Sequence, residues 1–256
     1  MYKPVTTPQS IGGVLDNGFR LYRASLRKVV VLAYLGGLVA QFPAMFVPLD
    51  PTALGGPMPP LFYVVWLVTM VISLIVAVAV IATLSAVMHG RELPIAEAVR
   101  VGGRKVLPFL VSSVLYAFAV TFGLLLLVVP GVLFGVSLAF CMVAVVVDDA
   151  GPLASFRQSH RLVRGNWWRT LVLLSVVLAV LLVFYVLLGF VAAMAVLFGA
   201  GGQSIVVRVL DLILTPALGA LVTPLFYAMY LAIYEDLKLR RSGADLEQRL
   251  SAPATA

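Results

Sequence analysis

From Val106 to Val147 the chain runs for 42 residues without a charged side chain, broken in its middle only by Pro130-Gly131. An element that faces water needs a polar side, and this stretch has none, so hydrocarbon has to be its solvent. The rest of the chain repeats the pattern. A helix crossing a bilayer core of ~30 Å needs about 20 apolar residues, and six stretches approach that length: 29–47, 61–88, 108–129, 131–147, 170–197 and 206–234. Composition agrees: 62% of the residues are hydrophobic and 11% charged, against about 25% charged in a soluble domain. The expected fold is an all-α polytopic bundle of about six transmembrane helices. It forms a single domain over residues 1–240, followed by a polar cytoplasmic tail, 241–256.

No charge separates the third and fourth stretches. Proline cannot continue the helical ladder and glycine permits a reversal, so Pro130-Gly131 predicts a tight helical hairpin. The fourth stretch is short, which leaves two forms open: a full crossing, or a re-entrant hairpin whose backbone is satisfied by neighbouring helices.

Basic residues set the orientation. Four segments contain 17 of the 18 Lys and Arg residues, and only Arg208 falls on the opposite side. By the positive-inside rule those four segments and both termini are cytoplasmic. Phe42, Phe46, Phe62, Tyr63 and Trp66 then mark the outer boundary, and Tyr22, Trp167, Trp168, Tyr230 and Tyr234 the inner one. The opposite side holds a quiet loop, 42–60, with Asp50, and a short turn, 199–204. No cleavable signal peptide is evident, so the first helix is expected to stay as an anchor. The excess of arginine over lysine suits a bacterial protein, hence the expected site, the cytoplasmic (inner) membrane.

A pattern recurs before three of the spans: Arg23-Ala-Ser-Leu-Arg-Lys28, Arg100-Val-Gly-Gly-Arg-Lys105 and Arg164-Gly-Asn-Trp-Trp-Arg169. It suggests a pseudo-threefold repeat of two-helix units, although basic residues cluster at any cytoplasmic membrane boundary. The segments leading in are amphipathic. Ile11, Val14, Leu15, Phe19, Tyr22 and Leu26 recur at helical spacing, as do Leu153, Phe156, Val163 and Trp167. Pro8, Pro94 and Pro152 suit first turns, and Thr7 and Asp149 are candidate N-caps. Such helices lie in the headgroup plane with their basic side toward anionic lipid. The third segment supplies the candidate contacts to a headgroup or partner: Arg157, Arg161, Arg164, Asn166, Trp167, Trp168 and Arg169. Anchoring and topology are the simpler role for the same residues.

Two stretches carry a resemblance. One runs from Pro130-Gly131 through Asp148-Asp149 and Gly151-Pro152-Leu153-Ala154-Ser155-Phe156-Arg157 to Leu162–Arg169; the other is Ile11–Asp16 with Arg20-Leu21-Tyr22-Arg23. Together they resemble the membrane domain attached to some bacterial glycerophosphoryl diester phosphodiesterases, in its stand-alone form. In fused members of that family the chemistry belongs to a separate soluble barrel. No such barrel is present here, so the resemblance implies a membrane domain without that activity.

Catalytic groups are sparse. His89 and His160 lack ligand-spaced partners, so no metal or cofactor is expected. Ser159 and His160 are sequence neighbours that a helix points to different sides. Cys141 sits in an apolar run as a small buried hydrophobe. Asp148-Asp149 suits helix termination and pairing with Arg157 or Arg161; the alternative is a cation held with substrate phosphate. The pI of 9.8 arises at membrane boundaries, which points to anionic lipid rather than nucleic acid. Arg208 and Asp211 make an i,i+3 pair near the outer end of the last span, upstream of Pro216 and Pro224. Broken helices of that kind occur at transport sites, and a structural kink is the plainer account. Gly36-Gly37 and Gly131-x-x-x-Gly135 permit close helix packing, in a compact bundle or a homo-oligomer. The sequence thus predicts a non-enzymatic scaffold or accessory in an envelope or lipid process. Its alternatives are a carrier or lipid-translocating protein using the last two spans, and an enzyme on lipid headgroups using Asp148 and Asp149.

Overall fold

The structure, a computed structural model, describes residues 2, 4–46, 58–198 and 205–251. Among these are eight α-helices and no strand. In chain order they are α1 (Ile11–Ala40), α2 (Pro60–Met88), α3 (Ile95–Leu126), α4 (Val128–Ser137), α5 (Cys141–Val147), α6 (Pro152–Val163), α7 (Trp167–Phe198) and α8 (Ile205–Ser251), with a 3-10 turn at Phe42–Phe46. The loops expected at 47–57 and 199–204 lie outside the described residues.

Five described segments are long and apolar enough to cross a membrane: Pro60–Met88, Ile95–Leu126, Val128–Val147, Trp167–Leu187 and Leu212–Gly243. The expected first span, 29–47, is instead the second half of α1, which ends at Ala40. The basic lead-in and the apolar stretch form one helix there, and again in α3, where Pro108 lies inside the helix rather than at its start. Only the third lead-in, α6, stands apart. Gly165 adopts φ +94° between α6 and α7, a conformation that costs glycine little. α8 continues into the expected polar tail as far as Ser251.

Helix ends also differ from expectation. Ser10, not Thr7, caps α1, its Oγ accepting from the Gly13 N–H at 3.2 Å. Gly151, not Asp149, precedes α6. The hairpin between α3 and α4 turns at Leu127, whose extended backbone (φ −170°) ends one helix and begins the next. Pro130 falls in the first turn of α4, where no ladder donor is missed. The expected fourth span is broken at 138–140. Ser159 from α6 bridges that break: its Oγ accepts from the Phe140 N–H at 3.1 Å and donates to the Ser137 carbonyl at 2.9 Å. Polar backbone freed by the break is thereby satisfied inside the protein.

The first and last helices form the main internal seam. Gln9 meets Asp236, Gly18 meets Met229 and Gly37 meets Pro216, so α1 and α8 run antiparallel. Val14, Leu21, Leu84, Phe140, Leu231 and Tyr234 belong to the core around this seam. The first lead-in therefore packs into the bundle along α8. Glycine decides the approach: a Cβ at Gly18 would lie 3.0 Å from the Met229 Cα. Of the Gly131-x-x-x-Gly135 pair, Gly131 is pressed against Gly123 within the α3–α4 hairpin, while Gly135 faces open space. In contrast, Leu178, Leu182, Tyr185, Leu187 and Phe190 of α7 and the run Leu124–Val129 are exposed. Helices apolar on every side, with their apolar side chains outward, are stable only in lipid.

Neighbouring glycines on α3 test this packing. A Cβ at Gly102 would collide with the Ile75 backbone carbonyl, whereas one at Gly103 meets nothing within 4 Å. Gly102→Val is expected to lower stability in detergent by about 1–3 kcal/mol, and Gly103→Val to change it by less than about 0.5 kcal/mol, as read by thermal unfolding of the two proteins side by side.

Candidate functional site

Polar side chains converge at one end of the bundle, where basic residues of α1, α3, α7 and α8 meet the carboxylates Glu92, Asp148, Asp149 and Asp236. The deepest group is Asp236 on α8, with 3% of its side chain exposed. It accepts from Arg169 Nη2 at 3.1 Å, from Arg240 Nε at 2.9 Å and from the Gln9 N–H at 2.8 Å. The Gln9 carbonyl accepts from the same two guanidinium groups. Residues at both ends of the chain are thus tied to one buried carboxylate, and ionised donors and acceptors make such bonds strong. Arg169, expected to contact lipid, is spent inside the protein.

Asp148 follows α5 and forms a second cluster. It accepts from Lys238 Nζ at 2.8 Å, from the Tyr234 hydroxyl at 2.6 Å and from the Gln158 amide. Burial pushes its carboxyl pKa up, but the hydrogen bonds from Lys238 and Tyr234 and the charge on Lys238 outweigh that and hold it below the usual carboxylate value. Lys238 also approaches Glu235 at 3.8 Å and lies 5.3 Å from the Tyr234 ring centroid. Asp149 turns away with φ 53° and pairs with Lys105 at 2.6 Å. The expected pairing of these aspartates with Arg157 or Arg161 is therefore replaced by lysines from α8 and α3. The adjacent carboxylates serve different partners, and among the described residues no three His, Cys, Asp or Glu side chains group to hold a metal.

The three sequence motifs acquire a common role in this arrangement. Their last basic residues each pair with a carboxylate at the far end of the same two-span unit: Lys28 with Glu92 at 3.4 Å, Lys105 with Asp149 at 2.6 Å and Arg169 with Asp236 at 3.1 Å. Each of the three motifs thus ends in a basic residue held by a carboxylate 44 to 67 residues further along the chain. The pairs differ in depth, from the largely exposed Glu92 to the buried Asp236.

The other expected contacts divide. Arg157, Arg161 and Arg164 recur at i, i+4 and i+7 along α6 and its end, and all three are exposed. Among the described residues none forms an ion pair. Leu153 and Trp168 beside them are also exposed. Trp167 is half-buried and packs edge-on to Trp168 at 4.8 Å. The Asn166 backbone is used locally, its carbonyl accepting from the Thr170 hydroxyl at 2.9 Å. Ser159 points inward to the α4–α5 break while His160 is exposed, so they form no catalytic pair. The side chains of Arg208 and Asp211 lie outside the described residues. Two cavities flank the middle of α8. One of about 310 Å³ lies against α1 and α2, with Gly36, Gly37, Ser73, Pro216, Thr223 and Tyr227 in its lining. The other, about 220 Å³, is apolar and lies against α7 between Phe184, Tyr185, Leu218 and Val222.

Gln9, Gln158, Tyr234, Asp236 and Lys238 were not singled out as site residues by sequence reasoning. The local signals are the i,i+4 spacings of Asp236 with Arg240 and of Tyr234 with Lys238 and the i,i+3 spacing of Glu235 with Lys238; partners such as Gln9, Asp148 and Arg169 lie far away in the chain.

Lipid-facing apolar helices and a basic end cross-tied by ion pairs define a multi-pass α-helical membrane protein. The chain belongs to the family described as a domain of unknown function, DUF7847, whose model matches residues 63–237. That match includes Asp148, Gln158, Arg169, Tyr234 and Asp236, and ends one residue before Lys238. No curated protein and no solved structure matches the chain.

Acid tests the Asp148 cluster. Its folded pKa lies below the unfolded value of about 3.9, so its contribution is present above that pH and is lost as pH falls through the folded pKa. Unfolding followed in detergent from pH 7 to pH 3 is expected to show stability declining at the acid end, and Asp148→Asn to remove this part of the decline while lowering stability at pH 7.

Proposed function

We propose that this protein is a non-catalytic accessory of a bacterial inner membrane, with its basic end and both termini cytoplasmic and with α6 held against anionic headgroups. The observation that carries this reading is the exposed arginine row Arg157, Arg161 and Arg164, flanked by exposed Leu153 and Trp168. Deeper cations such as Lys105, Arg169 and Lys238 already have carboxylate partners. An outward cationic row beside apolar side chains suits a headgroup layer: the apolar groups enter the interface and the guanidinium groups meet phosphate. Each basic residue near an anionic surface contributes about 1 kcal/mol.

A carrier or lipid-translocating role is the second reading. It is favoured by the apolar cavity of about 220 Å³ between α7 and α8, next to the segment of α8 that holds Pro216 and Pro224.

Lipid titration in mild detergent, followed by native mass spectrometry, tests the first reading. Phosphatidylglycerol is expected to bind more tightly than phosphatidylcholine. Arg157→Gln/Arg164→Gln is expected to weaken phosphatidylglycerol binding by about thirtyfold, two charges at about 1 kcal/mol each, and to leave phosphatidylcholine binding unchanged. Equal binding of both lipids by the unaltered protein would sink the reading. Flux of lipid across proteoliposomes would favour the second.

A further inference from the structure

The last basic residue of each motif holds a group just before the next lead-in helix. Lys28 pairs with Glu92, three residues before α3, and Lys105 with Asp149, three residues before α6. Arg169 donates to the Gln9 carbonyl at 2.6 Å, two residues before α1. The contacts run from α1 to α3, from α3 to α6, and from the start of α7 back to α1, which closes a cycle.

With these residues held inward, the first and fifth positions of each motif point outward. They are Arg23 and Arg27 on α1, Arg100 and Arg104 on α3, and Arg164 and Trp168 at the α6–α7 junction, all six exposed. On α1 and α3 the two arginines stand i,i+4, one above the other on a single face. Among the described residues none of the five arginines forms an ion pair. One to two turns further along, the same faces become apolar and stay exposed. Val31 and Leu35 follow Arg27, Leu107 and Val111 follow Arg104, and Val172 and Val176 follow Trp168. Exposed apolar faces of that kind need hydrocarbon, so the arginines stand at its edge, at the depth of headgroup phosphate. The exposed carboxylate nearest them on α3, Glu97, lies a turn before Arg100, away from the apolar part of the helix.

We propose that the basic end carries three headgroup sites, one on each lead-in, and so gathers a collar of three anionic phospholipids from the surrounding leaflet. The proposal rests on the reading that α6 meets anionic headgroups, and extends it to α1 and α3. Two guanidinium groups a turn apart bracket one phosphodiester, each presenting a planar fork to its oxygens. At the third site Trp168 takes the place of one arginine, an aromatic side chain of the type that anchors at the interface. Arg157 and Arg161 precede Arg164 on α6 and supply the further charge there.

Native mass spectrometry from nanodiscs of mixed phosphatidylglycerol and phosphatidylcholine counts the lipids that stay bound. The intact protein is expected to keep three phosphatidylglycerol molecules. Arg23→Gln/Arg27→Gln and Arg100→Gln/Arg104→Gln are each expected to keep one fewer, their own site weakened by about thirtyfold. Adding Arg157→Gln/Arg164→Gln to both removes the last. Replacing the same α1 and α3 arginines by lysine is expected to keep the count at three, which separates lost charge from altered folding. An unchanged count in the α1 and α3 glutamine variants, while Arg157→Gln/Arg164→Gln still lowers binding, would overturn the collar and leave the α6 contact standing. Loss of a lipid from the lysine variants as well would contradict it too, by tracing retention to packing rather than charge. Equal retention of phosphatidylglycerol and phosphatidylcholine by the intact protein would remove the surface reading, and the collar with it.

Discussion

A carboxylate shielded from water must be matched by donors, and Asp236 is matched by two arginines and a backbone N–H from opposite ends of the chain. Ionised groups in a poorly polar setting are costly when alone and strongly held when paired. This requirement couples the segment before α1, the start of α7 and the inner part of α8. It also explains why α1 packs into the bundle along α8 despite its amphipathic sequence. Val14 and Tyr22 of its apolar side are buried against other helices, while Ile11, Phe19 and Leu26 stay exposed. Lys105 with Asp149 and Lys28 with Glu92 repeat the device at the other two units with progressively more water around it.

Elsewhere the chain depends on close approach and backbone satisfaction rather than on charge. In lipid there is little hydrophobic gain from pairing two helices, so packing quality and internal hydrogen bonds decide association. Gly18, Gly102 and Gly131 let backbones approach where any Cβ would intrude. At 138–140 the helix is interrupted and Ser159 supplies both a donor and an acceptor. The Gln158 amide on the same helix reaches Asp148 and Tyr234. α6 thus stitches the break on one side and carries the exposed arginines on the other, which places the proposed lipid contact on a rigid support.

Much of this was legible in the sequence because hydrocarbon imposes a simple code. Uncharged stretches marked the spans, and the gathering of Lys and Arg into four segments foretold one basic end. The helix breaks were harder to place. Pro130-Gly131 suggested the hairpin turn, yet the reversal lies at Leu127, because proline is tolerated in a first turn and need not mark the bend. Pro108 misled in the opposite sense, since α3 runs through it. The site was only half legible. Lys28, Lys105 and Arg169 stood out as motif ends, but Glu92 and Asp236 lie 64 and 67 residues beyond their partners, and Gln9 lies 227 residues from Asp236. Pairing at such separations is decided by tertiary packing. That is why Arg169 reads as a lipid contact in the sequence although it pairs with Asp236, whereas Arg157, Arg161 and Arg164 stay exposed.

The central claim is that the buried carboxylate and its arginines act as one unit that holds the two ends of the chain. A double-mutant cycle on Arg169→Met and Asp236→Asn, read by reversible unfolding in detergent, measures it most directly. The account predicts that each single change is strongly destabilising because it strands a buried charge or donor, and that the double variant loses less than the sum by about 1–3 kcal/mol. Additive losses would contradict it, showing that the two side chains contribute independently and that the ion pair does not organise the basic end.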